Sequence, residues 1–415
     1  MSAILSFIIC ILIILVLTVK FRMPPFVSLV GAAFLFGAME GVGMGLLAST
    51  VTGGAASIFK VLGIIVFSGV VIARVLRESG NIDRIVFDVQ KRIKAPTRTG
   101  GLIGYILSVP LMCGITTFVL VSPILSRFNV NKDVLKHTLF ASSIGATLSY
   151  VLIYPSPVVV TIVDGLADHI ADPWKIDLFT VPLSLVLILV FLCSVGALLK
   201  RRGTVESMGR IQEPDVERWR AWLPVLMPFI LIGVGLVFPP LSFLSNINIA
   251  LFGSLLLALA VVGRDVRSKA LHEGTKNAGL IIFDLCGAGA FGAVIAASSF
   301  PDEVFDLLVG VIPPILLPFI LAMSIQAAQG SRVVTATVTT SIIVTTTLPF
   351  TLDPVALVLM ICGGAFMFST VTDPFFWLIT RVTHEDVRTV SWRYTVPLLC
   401  AGTVTMLAGL IVQAF

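Results

Sequence analysis

Val86-Phe87-Asp88, with Pro96 behind it, returns as Val304-Phe305-Asp306 with Pro314, each residue displaced by 218 positions. Three residues and a proline are a weak match alone. The same displacement carries the apolar segment at 3 onto the one at 221, 25 onto the one near 245, 57 onto the one near 278 and 137 onto 355. It also lays an apolar region rich in Gly, Pro, Ser and Thr, 101–126, over a second such region, 315–348. The chain therefore reads as two copies of one unit, 1–199 and 221–415, joined by a polar linker, 200–220.

The unit is a membrane one. Of the 415 residues 57% are hydrophobic and 12% charged, with a mean hydropathy of +1.05. A soluble domain carries about 25% charged residues, so this surface is too apolar for water. Stretches long enough to cross a bilayer, about 20 residues, run at 3–19, 25–45, 57–77, 137–161, 178–199, 221–239, 245–262, 278–298, 355–380 and 393–414. The first is read as a retained helix, because Lys20 and Arg22 follow it and no basic stretch precedes it. The six cysteines are scattered through apolar segments without a CxxC pair, and read as small buried residues. The histidines sit at segment ends or in loops, so no metal site is expected. The net charge of +5 comes with no basic patch interleaved with aromatics, so no nucleic-acid partner is expected either.

Whether 101–126 and 315–348 cross the membrane decides the topology. Lys and Arg concentrate in cytoplasmic loops. If both regions are re-entrant hairpins, one face collects 25 of the 28 Lys and Arg, leaving Lys60 and Lys175 opposite and Arg332 inside the second hairpin. A full crossing by either region would scatter these charges. Each half then holds five crossings and one hairpin, and an odd number of crossings inverts the second half relative to the first. The expected fold is an all-α polytopic membrane protein of two inverted repeats, with discontinuous helices at the midplane. Both termini are expected on the extracytoplasmic side of the cell (inner) membrane.

Paired, interrupted segments in inverted repeats point to a secondary-transport site, since irregular backbone at depth survives only inside protein or beside a water-filled cavity. In the hairpins, Cys113-Gly114-Ile115-Thr116-Thr117 corresponds to Gln329-Gly330-Ser331-Arg332, with Thr335 and Thr337 beyond. In the helices that follow, Tyr154-Pro155-Ser156-Pro157 corresponds to Thr372-Asp373-Pro374. Pro155, Pro157 and Pro374 break the helix by removing donors. Broken ends that expose N–H groups suit an anion, and free carbonyls suit a cation. Buried charge in a membrane is costly and functional by default. A guanidinium matches a carboxylate as a fork, so Arg332 is assigned to an anionic substrate; the bland alternative pairs it with Asp373 or lets it snorkel outward. Asp373 can carry a coupling proton, ligate Na⁺ or hold Arg332. Asp284 is a second candidate for ion coupling, or it simply faces the cytoplasmic interface. The substrate-binding set is Cys113, Gly114, Thr116, Thr117, Tyr154, Ser156, Gln329, Gly330, Ser331, Arg332, Thr335, Thr337 and Thr372. Each Thr is weak singly, because threonine in a membrane helix commonly bonds back to its own helix.

Lys20-Phe21-Arg22-Met23, Glu78-Ser79-Gly80, Pro155-Ser156-Pro157, Ala328-Gln329-Gly330-Ser331 and Asp373 with Phe376-Trp377 together resemble the gluconate permease family of the ion transporter superfamily. The resemblance spans most of the length. It implies a proton-coupled importer of small hydroxy-carboxylates and an elevator-type homodimer with two hairpins and two unwound helices at its site. It departs where the family pattern is Tyr-Glu-Val-Gly and this chain has Leu111-Met112-Cys113-Gly114, where a His is replaced by Tyr154, and at Arg332.

The expected function is thus secondary transport of a small organic anion coupled to H⁺ or Na⁺, with no cofactor. A Na⁺/H⁺ antiporter, or a carrier of an inorganic or phosphorylated anion, is the alternative within the superfamily. An intramembrane enzyme would need a convergent His/Asp/Ser or metal cluster at depth, and an ATP-driven pump a Walker motif; neither is read in the sequence.

Overall fold

The computed structural model describes residues 2–21, 23–93, 95–128, 130–170, 172–201, 213–309, 312–370 and 372–414, and leaves outside that set the side chains of 19, 304–306, 308, 309, 328 and 329. The first half runs α1 (Ala3–Leu15), α2 (Pro25–Met39), α3 (Met44–Glu78), α4 (Asn81–Arg92), α5 (Pro96–Ser108), α6 (Gly114–Leu125), α7 (Lys132–Leu152), α8 (Pro157–Gly165) and α9 (Trp174–Arg201). The second runs α10 (Arg218–Val237), α11 (Ile247–Ala260), α12 (Arg264–Ala296), α13 (Phe300–Val309), α14 (Leu317–Gln329), α15 (Arg332–Ile343), α16 (Leu348–Thr351), α17 (Pro354–Phe366), α18 (Pro374–Thr383), α19 (Val387–Val390) and α20 (Val396–Ala414). Apart from the short α16 and α19, the order repeats. The 12-residue α6 and the 12-residue α15 begin 218 positions apart.

The helices are longer than their apolar stretches at two places. α3 has 35 residues and α12 has 33, because the polar turns flanking each apolar run continue the helix. Asp284 therefore lies in the middle of α12 and not near its start. Conversely, the region 355–380 is interrupted, with α17 ending at Phe366 and α18 starting at Pro374. Six helices among the described residues are long and apolar enough to cross a bilayer, and the pair Pro239–Ser245 and Ile247–Ala260, bent by 81°, makes a seventh if counted as one span. Lys132–Gly165 is the most enclosed, with 83% of its most apolar 18 residues buried against 22% for Trp174–Arg201. α7 and α8 thus form the centre, and α9 turns Leu178, Val186, Leu189 and Val190 outward, as a lipid-facing helix does. Cys193 of α9 and Cys400 of α20 are exposed, whereas Cys10, Cys286 and Cys362 are buried as expected and Cys113 is half-buried.

Small residues decide how closely the central helices approach. α3 packs along α12. A β-carbon on Gly54 would strike the Gly289 carbonyl, one on Gly274 would strike Val71, and Glu78 reaches Lys269 at 2.6 Å. The two helices are therefore antiparallel. α5 meets α7 through Gly100, Gly101, Gly104 and Gly145, α14 meets α17 through Gly364, and α17 meets α20 through Gly363 and Gly402. Close backbone approach of this kind is what holds helices together where lipid removes the hydrophobic drive. Gly145→Val is expected to lower stability by about 1–3 kcal/mol, since its first added carbon already meets the Gly101 carbonyl and the Tyr105 amide. Gly31→Val, with nothing within 4 Å of its added carbon, should leave the melting midpoint in detergent nearly unchanged.

Polar contacts among the loops and chain ends include two groups. Residues from the basic segments meet one another, as in Arg127–Asp83 (3.2 Å), Arg84–Glu213 (2.9 Å) and Lys136–Glu385 (2.9 Å). Residues from the remaining loops and the termini do likewise. Ser2 Oγ donates to Glu303 (2.8 Å), Ser6 Oγ donates to Glu40 (2.8 Å), and the Asp353 N–H donates to Gln413 Oε1 (2.7 Å). None of these contacts joins one set to the other.

Candidate functional site

Four helices begin inside the molecule, and each starts on a side-chain cap. Cys113 Sγ accepts from the Thr116 N–H (3.5 Å) at α6, and Ser331 Oγ from the Val334 N–H (3.5 Å) at α15. Ser156 Oγ accepts from the Val159 N–H (3.4 Å) at α8, and Asp373 Oδ1 from the Phe375 N–H (2.8 Å) at α18. A cap satisfies one of the free donors of the first turn, and the remaining donors keep the positive end of the helix dipole. The residue before each hairpin cap is left-handed: Met112 at φ 56° and Gly330 at φ 73°. These two sit at matching positions of the two halves, so each hairpin turns by the same backbone device. Pro157 and Pro374 are the first helical residues of α8 and α18, where a missing N–H costs nothing. Pro155 lies in the turn before α8.

Two of these helix starts, those of α15 and α18, meet at Arg332. Its Nη2 donates to Ser369 Oγ (2.8 Å), Asp373 Oδ2 (3.0 Å) and Tyr394 Oη (3.0 Å), joining α15 to the break before α18 and to the turn before α20. Tyr394 also meets Thr147 of α7 at 3.3 Å. The Phe375 ring of α18 stacks edge-on with Phe118 of α6 (5.4 Å) and with Tyr394 (5.6 Å). Tyr150 lies three residues beyond Thr147 on α7 and so shares its face of the helix. α15 also packs against α8. The guanidinium is a buried charge, and the Asp373 carboxylate balances it. Two donors of the second hairpin, Arg332 Nε and Gln326 Nε2, are buried without a partner among the described residues. A buried donor left unmade costs about 1–3 kcal/mol, so this part of the molecule favours a group rich in acceptors.

The other expected site residues divide. Thr335 Oγ1 donates to Gln326 Oε1 (2.8 Å), and Thr372 Oγ1 to the Ala327 carbonyl (3.0 Å), so both brace the second hairpin. Thr337 is buried in α15. Thr117 bonds back to the Cys113 carbonyl (2.9 Å), while Thr116 lines a cavity outside the cluster. Gly114 packs toward Ser108 and Ala146. The Tyr154 ring turns to Trp174 (4.7 Å), and its N–H is held by Asp177 (2.9 Å), so its side chain faces α9. Asp284 accepts from the Phe26 N–H (3.2 Å) in the first turn of α2 and does not join the Arg332 network. The Gln329 side chain lies outside the described residues.

Ser369, Tyr394, Thr147, Tyr150 and Gln326 are absent from the set that the sequence singles out. Tyr394 is positioned by a π-helical turn, Ser391–Thr395. This turn buries both Tyr394 and Thr395, and Thr395 Oγ1 bonds the Ser369 carbonyl. Such turns concentrate at functional sites, but a single sequence carries no mark of them. The usable signal is scarcity, since Tyr394 and Tyr150 are two of only four tyrosines.

The chain matches a family model described as GntP family permease over residues 2–214 and 221–415. It is similar to the D-serine transporter DsdX of Escherichia coli K12, at 24% identity over 99% of this chain and 98% of that one. It is also similar to the gluconate permease of Pseudomonas aeruginosa, at 26% identity over 90% of this chain and 89% of that one. Among solved structures, the YdaH transporter of Alcanivorax borkumensis superposes with a TM-score of 0.54 at 15% identity, covering 94% of this chain and 96% of that one. That likeness extends to the fold alone.

Proposed function

The chain belongs to the GntP permease family, and from that footing we propose that it is a secondary transporter of a small hydroxylated carboxylate. The observation that carries this is the Arg332 cluster: a buried guanidinium where the capped starts of α15 and α18 meet, with N–H donors that have no partner among the described residues. Such a site attracts an anion whose oxygens accept hydrogen bonds. Gluconate and D-serine, the compounds for which the two relatives are named, share a carboxylate and hydroxyl oxygens. In this reading the substrate carboxylate competes with Asp373 for Arg332. The helix starts at Cys113, Ser156 and Ser331 face its remaining oxygens, and Thr335 and Thr372 brace the hairpin tip.

The scaffold reading is two inverted repeats, 1–199 and 221–415, each with a re-entrant hairpin. The antiparallel packing of α3 on α12, which hold matching positions in the two halves, supports it. So does length. The hairpin arms α6 and α15 have 12 residues each, about 18 Å at 1.5 Å per residue, against a hydrocarbon core of about 30 Å. We further propose an elevator movement of the hairpins and broken helices as one body, a homodimer in the inner membrane, and extracytoplasmic termini. The coupling ion is H⁺ or Na⁺, and Asp373 is its candidate carrier.

A melting screen of purified protein against gluconate, D-serine, inorganic anions and Na⁺ across pH tests the proposal. A carboxylate at 100 times its Kd should add about 2.7 kcal/mol of stability. Sodium flux in proteoliposomes with no carboxylate effect would overturn the proposal in favour of an antiporter.

A further inference from the structure

A cavity of about 270 Å³ opens between α6 and the α3–α12 pair. Arg74, Arg77 and Asn277 line its polar side, and Thr116, Val119 and Leu280 are among its other walls. With the Asn277 amide turned so that its oxygen faces the guanidinium, the orientation that satisfies both groups, that oxygen accepts from Arg74 Nε (3.2 Å) and Nη2 (2.6 Å) and so fixes the guanidinium. Glu78, the nearest acid in sequence, is taken by Lys269 (2.6 Å), and neither Arg74 nor Arg77 forms an ion pair among the described residues. The wall is therefore cationic and uncompensated.

The matching place in the second half is closed. Gly292 stands 218 positions after Arg74, and a β-carbon there would lie 3.4 Å from the Val338 Cα of α15. α15 seats directly on α12 because no side chain intervenes. On the other side Arg74 stands in the gap, and α6 is held off α3. The arginines thus guard an opening that begins at the first turns of α6, whose cap is part of the candidate site.

We propose that this cavity is a second, weaker station for the carboxylate substrate, on the path between the hairpin site and the basic face of the protein. Arg74 and Arg77 bind the carboxylate there, and Asn277 positions Arg74. The inference rests on the carboxylate-transporter reading. The volume holds roughly nine waters at ~30 Å³ each, enough for a small acid. Local potentials of several kT are ordinary beside such charges.

Val119→Cys, studied in the full-length protein in proteoliposomes and corrected for the parent protein's own labelling, gives a reporter on the cavity wall. An anionic methanethiosulfonate (sulfonate) and a cationic one (trimethylammonium) are compared after normalisation to free cysteine. The expected result is about a tenfold preference for the anionic reagent, removed by Arg74→Gln with Arg77→Gln, and slowed labelling in gluconate or D-serine. Equal rates, or a preference that survives the double substitution, overturn the proposal. Protection that follows phosphatidylglycerol content and ignores added carboxylate assigns the cavity to a lipid headgroup, and overturns it too. If wild-type vesicles transport no carboxylate, the transporter reading falls and this one with it. If they transport one that does not protect the reporter thiol, only the second station falls.

Discussion

Arg332→Ala is expected to abolish carboxylate uptake and to lower the stability of the solubilised protein by about 3–5 kcal/mol, the cost of leaving one member of a buried ion pair alone. Asp373 is 1% exposed and sits 3.0 Å from the guanidinium, so truncation leaves a carboxylate with only backbone donors in place of its counterion. Loss of uptake by this variant alone would not separate a substrate anchor from a structural clamp. The double variant Arg332→Met with Asp373→Leu does. Replacing both members of a buried pair by apolar groups is often neutral or stabilising, so the double variant should melt well above Arg332→Ala. Uptake should remain absent, because the guanidinium that receives the substrate carboxylate is gone. Melting curves and uptake into proteoliposomes, run on both variants, check this. Uptake that returns together with stability would make the pair a clamp and move the anchor elsewhere.

Of the readings that the sequence leaves open for Arg332, the structure shows the pairing with Asp373. Arg332 Nη2 donates to three partners, while Nε has none among the described residues. The all-helical membrane character is what is legible, and long apolar runs carry it by averaging over many residues. The breaks are legible where Pro or Gly mark them, at Pro155, Pro157, Gly330 and Pro374. The break after Phe366 is not, since Met367-Phe368-Ser369 has neither, and its turn is made by Phe368 at φ 50°. That hides Ser369, and the π turn hides Tyr394. Asp284 misleads for a related reason. The apolar run begins close before it, which suggests a helix start, while the charged turns from Arg264 are helical as well. Tyr154 has site residues as its neighbours in sequence, and packing against Trp174 settles its direction instead.

The second large effect is expected at Gly330. It has φ 73°, and a β-carbon there would strike the Thr372 carbonyl and the Asp373 N–H. Gly330→Ala therefore meets two costs. One is conformational, about 1–2 kcal/mol for an L-residue in the left-handed region. The other is steric and falls on backbone, which cannot rotate out of the way. The second hairpin must then lift from the break before α18. That displaces Arg332 from Asp373 and loosens the Thr372 bond to Ala327, since all of these contacts lie within a few residues of the tip. Gly41 supplies the control. It has φ 74° with nothing within 4 Å, so Gly41→Ala carries the conformational cost without the collision. The two variants should share a modest drop in melting midpoint, with Gly330→Ala lower again. Uptake should survive in Gly41→Ala and fall at least about tenfold in Gly330→Ala, the equivalent of 1.4 kcal/mol of misplaced binding. Equal uptake by the two would mean that the tip of the second hairpin can part from α18 without disturbing the substrate. The Arg332 cluster would then be a fixed part of the scaffold, and the contact between hairpin and broken helix would have no share in transport.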